Sequence, residues 1–191
     1  MRVLASLTTV ALRNELVDAA TWSPLCSAAP MRAQLEGEAR HLVPPSQPRA
    51  LAVEPAVLTI LGDAVRLGGQ CEVGGLLVGR RDDDAWRLTA FAALDNLATE
   101  PRSRFRFDPI AFAQAVAQTE RRGLSWLGFA HSHPHGPAQP SAIDRVEAWR
   151  HCLQGIAAAR TDGSFEVTFW WADEYGMHRV PFTVPAMELR P

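Results

Sequence analysis

One short stretch, GFAHSHPHGPAQPSAID from Gly128 to Asp144, holds most of the side chains in this chain that could act on a substrate. His131 and His133 are separated by one residue at the end of the apolar run LSWLGFAH, which reads as a buried strand. Side chains alternate across a strand, so both imidazoles point to the same face and can share one cation. Asp144 stands near the start of a helix, and the Pro- and Gly-rich loop between can fold back to bring its carboxylate to the pair. Two histidines and one carboxylate leave a fourth tetrahedral position open, the arrangement of a catalytic rather than a structural Zn2+ site. His135 lies past Pro134 in the loop and is expected to be a solvated bystander.

Each of these residues also has a plainer use. Histidines at a strand end hydrogen-bond to backbone without any metal. Ser141 followed three residues later by an acid is nearly a capping box, and Asp144 in a first helical turn complements the helix dipole. On spacing alone both readings stand.

The elements that must position the stretch are legible on either side of it. LAVE is a short strand, and PAVLTILGDAVRLGG has proline at a first helical turn and glycines at its end. EVGGLLVGR and AWRLTAFAAL are strands joined through a charged hairpin tip at Asp82, Asp83 and Asp84. SRFRFD alternates aromatic residues with arginine and is expected to form a strand with one buried face. Asp108 as N-cap, Pro109 at N1 and apolar residues at helical spacing make DPIAFAQAVAQTERRG the clearest helix. Beyond the histidines, SAIDRVEAWRHCL is expected to be helical, and GIAAAR, SFEVTFWWA and MHRVPFTV to be strands. Strands and helices mix without regular βαβ alternation, which favours a three-layer α+β fold with a mixed sheet.

The whole chain is 191 residues with 47% hydrophobic and 21% charged residues, enough to bury one substantial core. Residues 1–48 differ in character and end in the proline-rich VPPSQPRA, so they are expected to be an N-terminal extension and linker ahead of a domain over 49–191. A net charge of −2 with interspersed signs offers no footprint for nucleic acid and no polybasic membrane patch. No apolar run is long enough to span a bilayer. MRVLASLTTVAL looks like the start of a signal peptide, but it is short, and Arg13, Glu15 and Asp18 follow without a cleavage site. Cys26, Cys71 and Cys152 are odd in number and widely spaced, so neither a disulfide framework nor a thiolate metal site is indicated. The expected setting is the cytoplasm.

HSHP, a loop of matching reach and PSAID, together and after a buried strand, resemble the JAMM (MPN+) metallopeptidase family. Its signature is H-x-H, ten intervening residues and Asp, with Ser three before the Asp. The family also carries an upstream E-x-x-G-x-L-x-G string, which Glu72, Gly75, Leu77 and Gly79 of CEVGGLLVGR match. The likeness runs from about Leu51 to Val184, including LDNLA around Asn96 and RFRFDP. It departs at Gly74, where many members have cysteine or alanine, and at His135, where bacterial relatives often have an acidic or polar residue.

The resemblance implies a cytidine-deaminase-like MPN domain in which a curved mixed sheet is flanked by helices. It implies zinc on His131, His133 and Asp144, with Glu72 as proton shuttle and Ser141 as hydrogen-bond donor to the oxyanion. The implied reaction is hydrolysis of a peptide or isopeptide bond at the C-terminal glycine tail of a ubiquitin-like protein. The short loop is similar to compact bacterial forms acting on β-grasp sulfur carriers, which makes such a carrier the expected partner. Two other classes compete. A non-catalytic MPN scaffold usually loses the ligands that this chain keeps, and a zinc nucleoside deaminase needs H-x-E and P-C-x-x-C, which are absent.

Overall fold

A computed structural model describes residues 46–186; most of the expected N-terminal extension, residues 1–45, lies outside the described residues. The elements are β1 (Ala50–Val53), α1 (Pro55–Gly68), β2 (Gly74–Asp82), β3 (Ala85–Leu94), α2 (Pro109–Arg121), β4 (Ser125–His133), α3 (Ala142–Glu147), β5 (Cys152–Ala159), β6 (Phe165–Asp173) and β7 (Gly176–Val180). They form a seven-stranded sheet in the order β1-β3-β2-β4-β5-β6-β7. Its β1/β3 and β4/β5 pairs are parallel and the others antiparallel. Past β7, Thr183 bridges to Ala52 of β1, its amide reaching Leu51 O and its carbonyl taking Val53 N, both at 2.9 Å. The sheet therefore curls until its two edge regions meet, which removes open edge from both.

Alternation along β2 explains the layers. Leu77 faces one way, into a core with Val57, Leu61 and Ala64 of α1, Leu127, Leu153 and Phe169. Leu76 and Val78 face the other way, onto Phe112 of α2, Phe129 and Cys152. One helix thus covers each face, giving the three-layer α+β architecture expected. α1 starts at Pro55, where the missing N–H costs nothing, and buries Val57, Leu61, Ala64 and Val65, a stripe at helical spacing. α2 begins where the Asp108 carboxylate accepts from Ile110 N at 2.8 Å. Leu76, Leu77, Leu127 and Leu153 show no exposed surface, and each such burial is worth about 1.5–3 kcal/mol.

Two expectations need correction. SRFRFD is not a strand: Phe105 and Phe107 turn toward the core and the arginines toward solvent, but the backbone joins no ladder. Asn96 takes the ladder's place, accepting from Arg106 N at 3.1 Å and donating to Arg104 O at 2.8 Å, so a side chain substitutes for a partner strand. The helix expected over SAIDRVEAWRHCL stops at Glu147. There Trp149 enters the aromatic cluster, its ring 5.0 Å from Phe129, and His151 takes a φ of 60° that no helix allows. β5 accordingly starts at Cys152, earlier than GIAAAR suggested. Among the described residues no helix is long and apolar enough to cross a membrane.

Candidate metal centre

β4 lies between β2 and β5, with His131 opposite Gly74 on one side and Ile156 on the other. Because β2 and β4 are antiparallel, continuing that register back from Gly74 sets Val73 against Ser132 and Glu72 against His133. Two bonds hold the continuation: Ser132 N donates to Val73 O at 2.8 Å, and Val73 N to Ser132 Oγ at 3.0 Å. Ser132, facing away from the imidazoles, therefore ties the glutamate's segment to the histidine strand. The close approach needs Gly74, where a Cβ would lie 2.7 Å from both Ala130 O and the Phe105 ring.

The loop after β4 returns Asp144 to the same place. It is anchored by Thr168 Oγ1 donating to the carbonyl of buried Ala138 at 2.5 Å. Ser141 and Asp144 close a complete capping box: Asp144 N donates to Ser141 Oγ at 3.2 Å, and Ser141 N to Asp144 Oδ2 at 2.6 Å. The serine oxygen accepts in this bond, and the Ser141 side chain also hydrogen-bonds the Asp144 carboxylate.

His131 Nε2 lies 3.1 Å from His133 Nε2 and 3.1 Å from Asp144 Oδ1, and His133 Nε2 lies 3.2 Å from Asp144 Oδ2. These three residues form a group that could hold a metal ion. The donor set fits zinc in number and spacing: a tetrahedral ion with bonds of about 2.0–2.1 Å sets its ligand atoms about 3.3 Å apart. His133 Nδ1 sits 2.9 Å from Pro137 O, so it carries the proton and leaves Nε2 with its lone pair toward the shared point. His135 is exposed and outside the group.

Electrostatics follow the geometry. Burial opposes charge on Asp144, yet hydrogen bonds from His131, His133 and Ser141 outweigh it and hold the carboxyl well below the usual range. Burial also works against a charged His133, but Asp144 and the Pro137 carbonyl push its pKa up. For Glu72 burial dominates and raises the pKa, with the fields of His131 and His133 pulling the other way. Glu72 is only 8% exposed, and its hydrogen bonds run through the backbone, to Pro101 O at 2.6 Å and from Asn96 Nδ2 at 2.9 Å. Its carboxylate is thus left uncommitted at the edge of the imidazole pair.

Glu72, His131 and Asp144 line a cleft of about 450 Å³ walled by Phe105, Phe107 and Trp149. Three contributors have no role assigned from the sequence: Ser132 at the register, Arg104 in the cleft wall, and Asn96 under Glu72, which the resemblance marks only as part of LDNLA. Period two already implied that the residue between the histidines faces the opposite way. Nothing local marks an asparagine past a strand end as a clamp between distant segments.

The chain matches a family described as prokaryotic homologs of the JAB domain over residues 54–173. It is 36% identical to a desampylase from Haloferax volcanii over 105 residues, covering 54% of this chain and 73% of that protein. Over 77 residues it is 42% identical to a probable TtuB-protein conjugate cleaving protease from Thermus thermophilus, covering 40% of this chain and 49% of that one. The solution structure of a Desulfitobacterium hafniense protein resembles it with a TM-score of 0.65 at 26% identity, over 71% of this chain and 92% of the other. A Salinibacter ruber protein matches with a TM-score of 0.54, also at 26% identity, over 72% and 93%.

Proposed function

From the premise that this chain belongs to the prokaryotic JAB-domain family, we propose that it is a zinc-dependent peptidase of the JAMM type. Its substrate is a peptide or isopeptide bond at the C-terminal glycine tail of a ubiquitin-like or β-grasp sulfur-carrier protein. The observation that carries the reading is the set of three donors at 3.1–3.2 Å beside the uncommitted Glu72 carboxylate in an open cleft. The names of the two curated relatives, a desampylase and a conjugate cleaving protease, support the substrate class. In this proposal residues 49–191 are the catalytic domain, residues 1–48 an appended extension, and the setting cytoplasmic.

His131, His133 and Asp144 would hold the ion, which supplies Lewis acidity and lowers the pKa of water toward neutrality. Glu72, with its pKa raised by burial, takes the proton from water and returns it to the leaving amine. The C–N bond breaks, the carbonyl carbon gains the hydroxyl and the nitrogen gains the proton. Ser141, held beside the ligand group by its bonds to Asp144, turns its O–H to the oxyanion when substrate is bound. Arg104 to Phe107 line the cleft outside any sheet, and the backbone of Phe105, not used by the bonds to Asn96 and Leu97, is offered to a glycine tail.

The test is hydrolysis of a Gly-Gly-tailed carrier by the full chain, with and without a chelator. Cleavage lost on chelation and regained with zinc is the expected result. A zinc-loaded protein that leaves such tails intact would favour a binding scaffold instead.

A further inference from the structure

The leaving amine must sit beside Glu72 to receive its proton, so whatever lies next to Glu72 in the cleft meets the group just beyond the scissile bond. Arg104 and Arg106 both line that cleft, and it is Arg104 whose positive charge acts on the Glu72 carboxylate. Arg104 projects from the irregular segment held by Asn96, which binds both Glu72 O and Arg104 O through one amide nitrogen. The backbones that carry the shuttle and the guanidinium are therefore clamped together. Across the cleft, Arg104 Nη1 faces Glu147 Oε1 at the end of α3, at 3.4 Å, with the two side chains 46% and 61% exposed. So long and exposed an ion pair adds little and exchanges readily for a better carboxylate.

From this arrangement we infer that Arg104 is a specificity residue that reads a free α-carboxylate on the leaving side of the scissile bond. The inference rests on the hydrolytic reading for its orientation. When the leaving amine is the α-amine of an amino acid, its carboxylate is one carbon from the nitrogen. That places it within reach of a guanidinium beside Glu72, whose planar fork takes a carboxylate in two parallel hydrogen bonds. An amine from a lysine side chain brings no such group. The favoured substrate is then a glycine tail carrying a single α-linked residue with a free carboxyl end, above a tail linked to a lysine Nε.

The experiment reads binding separately from turnover. Peptides ending in Gly-Gly-Ala as the free acid, the same peptide as its amide, and Gly-Gly joined to a lysine Nε are titrated into the zinc-loaded full chain carrying Glu72→Gln. The acid should bind about tenfold or more tighter than the other two, the scale of a charge-assisted hydrogen bond. Adding Arg104→Gln should bring the acid-to-amide ratio near one, Arg104→Lys should restore part of it, and Glu147→Gln should raise it by removing the competing carboxylate. A ratio near one in the Glu72→Gln chain, or a ratio indifferent to Arg104→Gln, would overturn the inference. If the acid preference is present and depends on Arg104 while the parent protein cleaves none of the three, the carboxylate site stands and the hydrolytic reading fails.

Discussion

At the scale of single residues, the centre depends on which imidazoles converge. His131→Ala or His133→Ala should remove most of the bound zinc, whereas His135→Ala should leave it near parental, because that side chain is exposed beyond Pro134. Elemental analysis of the purified variants checks both, and unchanged zinc in the first two would refute the ligand set. Uptake should also depend on pH with a definite sign. The raised pKa of His133 means that the metal-free protein keeps a proton there at a pH where an ordinary histidine has lost it. Zinc must displace that proton, so affinity falls as pH drops through the raised value, by up to about tenfold per pH unit for each proton released. A zinc affinity flat across the histidine range would contradict it. Glu72→Gln should retain zinc and fold, yet lose about 10²-fold or more in kcat with little change in KM, since the shuttle acts in the transition state. Ser141→Ala should slow turnover by roughly 10²–10³-fold and cost about 1 kcal/mol from the lost cap, read by denaturant titration.

At the scale of elements, the site is a junction of three segments that no single motif contains. The histidine strand, the stretch before β2 and the loop into α3 meet through Ser132, Asn96 and the capping box. Asn96→Ala should therefore do more than remove a surface amide. It deprives Glu72 O and Arg104 O of their shared donor and Ala98 N and Arg106 N of their acceptor. A loss of about 1 kcal/mol is expected for these part-buried and exposed hydrogen bonds, together with a raised KM as the cleft wall loosens. Unaltered stability and KM would show that the wall is held elsewhere. Gly74→Ala tests the same junction from the strand side. The added methyl meets a backbone carbonyl as well as the Phe105 ring, so β2 must shift from β4, and zinc affinity as well as stability should drop. Many members of the resembling family carry a larger residue here; in this chain the Phe105 ring occupies the space.

For the whole molecule, ligand binding and folding should be linked. The donors come from β4 and from α3 across a loop, so the unfolded chain holds no comparable set, and zinc at 100 times its dissociation constant should stabilise the fold by about 2.7 kcal/mol. Calorimetry should show the rise in Tm for the parent and not for His131→Ala. Leu77→Ala, deep in the core under α1, should cost about 2–5 kcal/mol with the same zinc stoichiometry per folded chain. Loss of zinc from the folded Leu77→Ala protein would mean that core packing sets the ligand geometry more tightly than the strand register does.

The sequence by itself determined which residues are candidates and which local elements carry them. Strand alternation is a local property, so H-x-H placed two imidazoles on one face; a proline at N1, an Asp N-cap and Ser141 before Asp144 marked helix starts for the same reason. The aromatic–arginine alternation of SRFRFD was equally legible, and its half-buried rings and exposed arginines follow it. Only tertiary structure decided that this stretch pairs with the Asn96 side chain rather than a strand, because a ladder needs a partner whose position no local pattern encodes. It also decided that the helix after Asp144 ends at Glu147, where burying Trp149 against Phe129 outweighs continuing the turn. The convergence of Glu72, His131 and Asp144 belongs to the same class: it follows from the β2/β4 register and from a loop anchored on Thr168, long-range choices made by packing the sheet as a whole.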